Sequence, residues 1–277
     1  MLGSATLQGH LWGGAAHTWA ELQEPISTPL WQVMLDIASV GPGTRLLDAG
    51  CGAGGASLLA AQRGALVNGL DASEAMLAVA RMRVPDGDFR VGDLEILPYA
   101  GSTFDAVIAA NVLPYTAQPA VALRELARVS RREARVMVAI AVAPPDPAQH
   151  AIAHALRELL PAGCIGQDLF ALSQPGVLDA LVAGAGLRML ATDKVLCPWE
   201  YADRETAWQA HASTGPLQAA VRLLGQAPVR AAVLRALIPY ATAAGAVRLV
   251  TQFRYILAVP DDDGRSGTER EEVSAMT

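Results

Sequence analysis

Leu46-Leu47-Asp48-Ala49-Gly50-Cys51-Gly52-Ala53-Gly54-Gly55 reads as an apolar strand, a glycine-rich turn and the start of a helix. A strand that ends in an acidic residue and runs into alternate glycines leaves bare backbone beside any ligand seated over its carboxyl end. The helix expected over 56–63 aims its unpaired N–H groups at the same place. The stretch is therefore a ligand cradle. Alone it suits a dinucleotide as well as a nucleoside, because Gly50-x-Gly52-x-x-Gly55 satisfies the dinucleotide spacing.

Working outward, Ser27-Thr28-Pro29 marks a helix start, with Leu30, Val33, Met34 and Ile37 at spacings of three and four, closed by Gly41-Pro42-Gly43. Strands are expected over 45–48, 66–70, 89–91, 104–110 and 134–143, with helices over 73–83 and 119–131. Strands that are apolar throughout and alternate with helices signal a parallel sheet covered on both faces. After Pro144-Pro145-Asp146-Pro147 the alternation breaks: helices over 149–160 and 175–185, a sixth strand over 187–196, helices over 203–224 and 228–244, and a last strand over 247–259.

The expected fold is α/β: a doubly wound, mostly parallel seven-stranded sheet of Rossmann-like type with a helical cap. Its divisions are an N-terminal cap segment of weak periodicity over 1–24, an α/β core over 25–143 and inserted cap helices over 144–186. Then come the sixth and seventh strands over 187–260 with cap helices between them at 203–244, and a polar, disordered tail over 261–277. The interposed helices are the expected substrate cap; the alanine-rich ones over 203–244 suit a hydrophobic pocket or a dimer interface.

Composition bounds the partners. Of 277 residues, 52% are hydrophobic and 17% charged, which is globular, and a net charge of −6 leaves no electrostatic footprint for nucleic acid. Arg124, Arg128, Arg131, Arg132 and Arg135 recur near helical spacing and read as a solvated face. Cys51, Cys164 and Cys197 are too few and scattered for a disulfide framework or a zinc site, and Cys51 reads as a small filler in the turn. With no basic leader before an apolar core, and no apolar run near the ~18 residues of a membrane span, a soluble, cytoplasmic monomer or homodimer with no membrane partner is expected.

The strand ends beyond the cradle narrow the ligand. Three further strands end in Asp71, Asp93 and Asn111. In a doubly wound sheet these ends lie side by side at the ligand crevice. An acidic residue after the second strand can accept from both ribose hydroxyls, and one after the third from an adenine amino group. That pattern is the signature of an adenosine-containing ligand.

In these stretches the chain resembles the class I S-adenosylmethionine-dependent methyltransferases, in particular the bacterial small-molecule branch related to the ubiquinone and menaquinone C-methyltransferases. The matching residues are Leu46 through Gly54, Gly69-Leu70-Asp71-Ala72-Ser73, Gly92-Asp93-Leu94-Glu95-Ile96-Leu97-Pro98-Tyr99, Ser102-Thr103-Phe104-Asp105-Ala106-Val107 and the helix Ala122 through Val129. Phe253-Arg254-Tyr255 resembles the family's last, antiparallel strand. The resemblance implies S-adenosylmethionine as cofactor, with Asp48, Gly50, Gly52 and Gly54 beneath its methionine and ribose. It also implies Asp71, with Ala72 beside it, at the ribose hydroxyls, Asp93 and Leu94 at the adenine, Met76 packed on the adenine, and Asn111 near the methionine end. Gly55 then becomes a helix-packing residue. One departure is Ser130-Arg131-Arg132-Glu133-Ala134-Arg135, where the family usually has a Pro-Gly-Gly turn; an altered loop near 130–135 is expected.

Methyl transfer asks mainly for in-line placement and exclusion of water, with a base where the nucleophile is a hydroxyl or an acidic carbon. Among His10, His17, His150, His154, His211 and Tyr115, the residues singled out for catalysis are Tyr115 and His211. His150 and His154 are four apart but lack a third ligand, so no metal is expected. Trp12, Trp19 and Trp199 suit a cofactor cover or substrate wall as well as ordinary packing. The expected activity is methyl transfer to oxygen or carbon of a small, apolar acceptor of natural-product or quinone-like type. Its rivals are a cofactor-binding homologue with another reaction, such as cyclisation, or a binding role, and a nicotinamide-dependent oxidoreductase.

Overall fold

The computed structural model describes residues 4–142, 151–159 and 171–261. Seven strands form one sheet: β1 (Arg45–Ala49), β2 (Leu66–Asp71), β3 (Asp88–Val91), β4 (Phe104–Ala110), β5 (Ser130–Ala141), β6 (Leu187–Tyr201) and β7 (Val247–Pro260). Their order is β3-β2-β1-β4-β5-β7-β6. The first five pair in parallel, and β7 runs antiparallel between β5 and β6. The chain winds one way from β1 to β3 and the other way from β4 onward, so the sheet's topological switch lies between β1 and β4, where ligands of such sheets sit.

Alternate residues of the central strands feed two different cores. Leu47, Leu70, Val107, Val136 and Val138 face α6 (Pro119–Val129) and α8 (Val177–Gly184), whose Leu123, Leu126, Leu178 and Val182 join them. Leu46, Ile108, Met137 and Ala139 face the other way. They meet Leu30, Met34 and Leu35 of α3 (Thr28–Ile37), Ala60 of α4 (Gly55–Gln62) and Leu77 of α5 (Glu74–Arg83). Burial on both faces is why these strands read as unbroken apolar runs. The family-like Phe104-Asp105 pair stands at the amino end of the central strand β4: Asp105 accepts the N–H of Arg45 at 2.9 Å and pairs with Arg131.

Several boundaries differ from expectation. The helix over 119–131 stops at Val129 because Ser130 donates its hydroxyl to the Leu126 carbonyl at 2.7 Å, and the carbonyls of Arg128 and Val129 are taken by the N–H groups of Ser102 and Thr103. Arg131, Arg132 and Arg135 are thus strand residues and share no helical face with Arg124 and Arg128. The single helix expected over 203–224 is two, α9 (Arg204–Ala212) and α10 (Gly215–Leu224). Ser213 and Thr214 turn their hydroxyls onto the carbonyls of Ala210 and His211, and Pro216 begins a new helix. The next helix, α11 (Gln226–Ala236), ends before Pro239, and β6 continues to Tyr201. α7 (Ala151–Leu159) lies within the expected 149–160. His150, Cys164 and the tail beyond Asp261 lie outside the described residues.

The N-terminal segment is more regular than its sequence suggests. It forms α1 (Ala5–Gly13) and α2 (Ala16–Thr18), then a π-helical turn over Trp19–Gln23 and a 3-10 turn over Glu24–Ser27 that leads into α3. α1 is docked by its small residues: a Cβ on Gly9 would lie 2.1 Å from the Ala72 carbonyl oxygen, and one on Gly13 would lie 2.7 Å from the Ser73 hydroxyl. A contact face made of glycine has no apolar periodicity, which is why the helix escaped the pattern.

Candidate active site

Gly50, Gly52 and Gly54 all adopt left-handed backbone, with φ of 77°, 55° and 83°. The turn they make is locked to β2, since the N–H groups of Gly50 and Cys51 both reach the Leu70 carbonyl, at 2.7 and 3.0 Å. Asp71 braces it further: its carboxylate accepts the Gly52 N–H and the Ser73 N–H, each at 2.9 Å. Burial raises the Asp71 carboxyl, and those two N–H groups oppose the rise. Asp48 is 2% exposed and accepts the Ser57 hydroxyl at 2.7 Å. Burial pushes its carboxyl up to about 7, reinforced by the charges of Glu24 and Asp71.

The neighbouring strand ends are held as firmly. Asn111 takes left-handed backbone with φ of 55°, and its side-chain oxygen accepts the Ala141 N–H at 3.0 Å. Asp93 accepts the Glu95 N–H at 2.9 Å, and Glu95 in turn accepts the N–H groups of Ala117 and Gln118 just before α6. Glu125 of α6 accepts the Leu97 N–H at 2.8 Å, while Arg128 donates to the carbonyls of Leu97 and Tyr99. The loop that carries Asp93 and Leu94 is therefore fixed at both ends.

These strand ends and the N-terminal helices line one cavity. Asp48, Gly50, Gly52, Asp71, Ala72, Met76, Asp93, Leu94 and Asn111 all line it, as does Tyr115. Gly54 does not: it stands behind the turn, where a Cβ would meet that of Ala80 at 2.8 Å. Gly55 is a packing glycine, with Trp31 2.5 Å from where its Cβ would be. Cys51 also lines the cavity; burial lifts its thiol well above the ordinary range, so it stays a neutral filler.

The second residue singled out for catalysis lies elsewhere. His211, on α9 and 7% exposed, stacks on Trp199 at 5.4 Å and sits 5.8 Å from the Tyr201 ring, away from the lining. Burial holds it down at about 4, so it is a neutral imidazole whose Nε2 has no hydrogen-bond partner. A desolvated histidine that meets no cavity is not placed to take a proton from a substrate there. Trp199 belongs to the same packing and is no cavity wall. His10, His17 and His154 are exposed. Tyr115 does line the cavity, with its phenol pushed up to about 12 by burial.

Of the remaining wall, the sequence offered Trp12 and Trp19, for which a cofactor cover or substrate wall was one of two open readings, and missed the rest. This wall comes from the N-terminal segment: Ser4, Gln8, Trp12, Trp19, Glu24 and Trp31. Trp12 meets Trp19 and Tyr115 edge-on, with centroids 4.9 and 5.1 Å apart. Glu24 pairs with Arg83 and accepts the Gly55 N–H at 3.3 Å, and Arg83 also donates to the carbonyls of Ala53 and Ala20. Conversely, no described residue beyond Thr116 lines the cavity, so the described part of 144–244 does not supply the expected substrate wall. α10 instead backs α1: Trp12 packs on Gly215, and Arg222 donates to the His10 carbonyl at 3.1 Å. The tryptophans were visible in the sequence; their direction was not.

Among the described residues no group of three or more metal-ligating side chains occurs, and no helix is long and apolar enough to cross a membrane. A family model described as a methyltransferase domain matches residues 47–138. A demethylmenaquinone methyltransferase of Renibacterium salmoninarum is 38% identical over 113 residues, 40% of this chain and 48% of that protein. A malonyl-[acyl-carrier protein] O-methyltransferase of Serratia marcescens is 38% identical over 98 residues, 35% and 38% of the two chains. A ubiquinone biosynthesis O-methyltransferase of Hahella chejuensis is 35% identical over 127 residues, 44% and 52%. The matches thus span about half the length of these relatives or less. Among solved structures, the YcgJ protein of Bacillus subtilis aligns with a TM-score of 0.61 at 20% identity, over 84% of this chain and 98% of that one. The [4+2]-cyclase SpnF aligns at 0.55 and 21%, over 84% and 80%; likeness at this level speaks for the fold alone. With its motifs in order on a sheet of this topology, the chain carries a methyltransferase domain over residues 47–138 and is similar there to part of the quinone methyltransferases.

Proposed function

We propose that this protein transfers the methyl group of S-adenosylmethionine to oxygen or carbon of a small, largely apolar acceptor, of secondary-metabolite or quinone-like type, in the cavity beneath the N-terminal helices. The observation that carries this reading is the cavity's charge. Glu24, Asp48, Asp71 and Asp93 line it, and no lysine, arginine or histidine does so among the described residues. Such walls suit a nucleoside that bears a sulfonium and an ammonium group, and they repel a pyrophosphate. A dinucleotide would also need the free N–H groups at the start of α4. Here the Gly55 N–H is committed to the Glu24 carboxylate.

In this reading Asp71 accepts from the ribose hydroxyls with the lone pairs left over from Gly52 and Ser73. Asp93 and Leu94 meet the adenine, and buried Met76 packs against it. Ala72 borders the ribose. The turn from Asp48 through Gly52, with Asn111, holds the methionine end. When bound, the cofactor supplies a methyl group already activated on sulfur. The chain's own task is to orient the acceptor and keep water out, which suits the aromatic wall of Trp12, Trp19 and Tyr115. At neutral pH Tyr115 keeps its proton and orients the acceptor by hydrogen bonding. No described histidine faces the cavity, so the favoured acceptors carry an acidic hydroxyl or carbon of their own.

Incubating the protein with S-adenosylmethionine labelled in its methyl group and a panel of phenolic, quinol and enolic acceptors tests the reading. Label transferred to one acceptor class is expected. Binding of the cofactor with no transfer to any of them, and formation of a cyclised product instead, would overturn it.

A further inference from the structure

Glu24 is absent from the motifs that define the family resemblance, yet it is the most buried carboxylate on the N-terminal side of the cavity, at 3% exposure. It reaches across from the turn before α3 to the glycine turn. Its Oε1 accepts the Gly55 N–H at 3.3 Å and would stand 3.5 Å from a Cβ on Gly52. Trp19 Nε1 stands 3.7 Å from the same point. Gly52 is also the residue whose N–H holds Asp71, so Glu24 overlooks the stretch between the ribose and methionine ends of the proposed ligand.

Glu24 and Asp48 both line this part of the cavity. Arg83 compensates Glu24, but Arg83 also serves the Ala53 and Ala20 carbonyls and does not line the cavity. Asp48, 2% exposed, is held by Ser57 and has no cationic partner among the described residues. Above about pH 7, where Asp48 ionises, the two carboxylates are met only by the guanidinium on Glu24, and a cationic ligand can answer the remaining negative charge. If Glu24 served only to pin the N-terminal helices, Arg83 on two backbone carbonyls would already do so, and a neutral glutamine would hold the Gly55 N–H without a desolvated charge.

We infer that Glu24 is a cofactor-positioning residue that, with Asp48, favours the cationic sulfonium cofactor over its uncharged thioether product. The inference rests on the S-adenosylmethionine reading given above. Its consequence is a turnover device: once the methyl group leaves, the sulfur loses its charge, the two carboxylates lose their partner, and the product is held less firmly than the substrate form.

Titration calorimetry of the wild-type chain, Glu24→Gln and Arg83→Met with S-adenosylmethionine and S-adenosylhomocysteine separates the possibilities. Glu24→Gln should weaken S-adenosylmethionine about tenfold while changing S-adenosylhomocysteine much less. Arg83→Met, which leaves the carboxylate uncompensated, should shift the preference the other way and raise it. A purely structural role would weaken both ligands in proportion, and an unchanged ratio in Glu24→Gln overturns the inference. If Glu24→Gln does not fold, a ratio in Arg83→Met that fails to rise overturns it instead. Wild-type protein that binds neither ligand would remove the cofactor reading itself and this inference with it.

Discussion

Glu24 accepts the N–H of Gly55, the first residue of α4, at 3.3 Å, so a side chain from the N-terminal layer closes the helix terminus just past the glycine turn. The glycine-rich turn alone was compatible with a phosphate ligand. The carboxylate above it is not. Replacing Gly55 tests how tightly these parts are fitted together. A Cβ there would lie 2.5 Å from Trp31 and 3.2 Å from the Glu24 carboxyl carbon. Gly55→Ala should therefore destabilise the fold by about 1–3 kcal/mol, seen as a lower midpoint in thermal unfolding. An unchanged midpoint would show that Trp31 can yield.

Asp48 makes stability depend on pH with a definite sign. Its folded carboxyl is raised to about 7 by burial first and by Glu24 and Asp71 next, with the Ser57 hydroxyl opposing. The folded chain therefore holds a proton that the unfolded chain has lost, and stability falls as pH rises from the ordinary carboxylate range through about 7. Asp48→Asn should raise the unfolding midpoint of the ligand-free protein at pH 8, at roughly 2–4 °C per kcal/mol gained, while weakening cofactor binding. A variant no more stable than wild type at pH 8, yet properly folded, would contradict the burial argument.

His211 has the opposite sign. Burial holds its imidazole at about 4, so stability is full above the ordinary histidine range and is lost as pH falls from there towards about 4. His211→Phe keeps a flat ring against Trp199 and removes the cost of charging, so the acid limb of the stability profile should move to lower pH. Methyl-transfer rate should be unaltered, because the ring lies outside the cavity. Loss of turnover in a stable variant would return His211 to the chemistry.

α1 is seated through Gly9, where a Cβ would come within 2.1 Å of the Ala72 carbonyl oxygen. Gly9→Val removes no group that faces the cavity, yet it should lift α1 from the loop after β2. Faster proteolysis within residues 5–13 and quicker cofactor dissociation are expected. Equal protease resistance in wild type and variant would mean that α1 docks by other contacts.

What the sequence disclosed and what it hid divide along physical lines. The sheet, its order of strand ends and the residues beneath the proposed cofactor were legible because parallel strands need apolar faces and the turn needs glycine at Gly50 and Gly52. The other half of the cavity was legible only as Trp12 and Trp19, which suited a wall as well as ordinary packing. Its helix docks by Gly9 and Gly13 instead of an apolar stripe, and its wall depends on Trp12, Trp19 and Glu24 facing strand ends 20 or more residues away in the chain. His211 was singled out for its chemistry alone, and tertiary packing buried it against Trp199. The helices over 203–244 looked like a substrate cap because they interrupt the sheet. In the fold they buttress α1, and Gly215 and Arg222 mark where.

The central claim is that the acidic cavity binds S-adenosylmethionine. Titration calorimetry of wild-type and Asp71→Ala protein with S-adenosylhomocysteine, with NADH as the competing ligand, tests it most directly. Saturable binding of S-adenosylhomocysteine, no binding of NADH, and a loss of ~2–4 kcal/mol in Asp71→Ala for a charge-assisted hydrogen bond or two are expected. Binding of NADH without S-adenosylhomocysteine, or full affinity in Asp71→Ala, would contradict it.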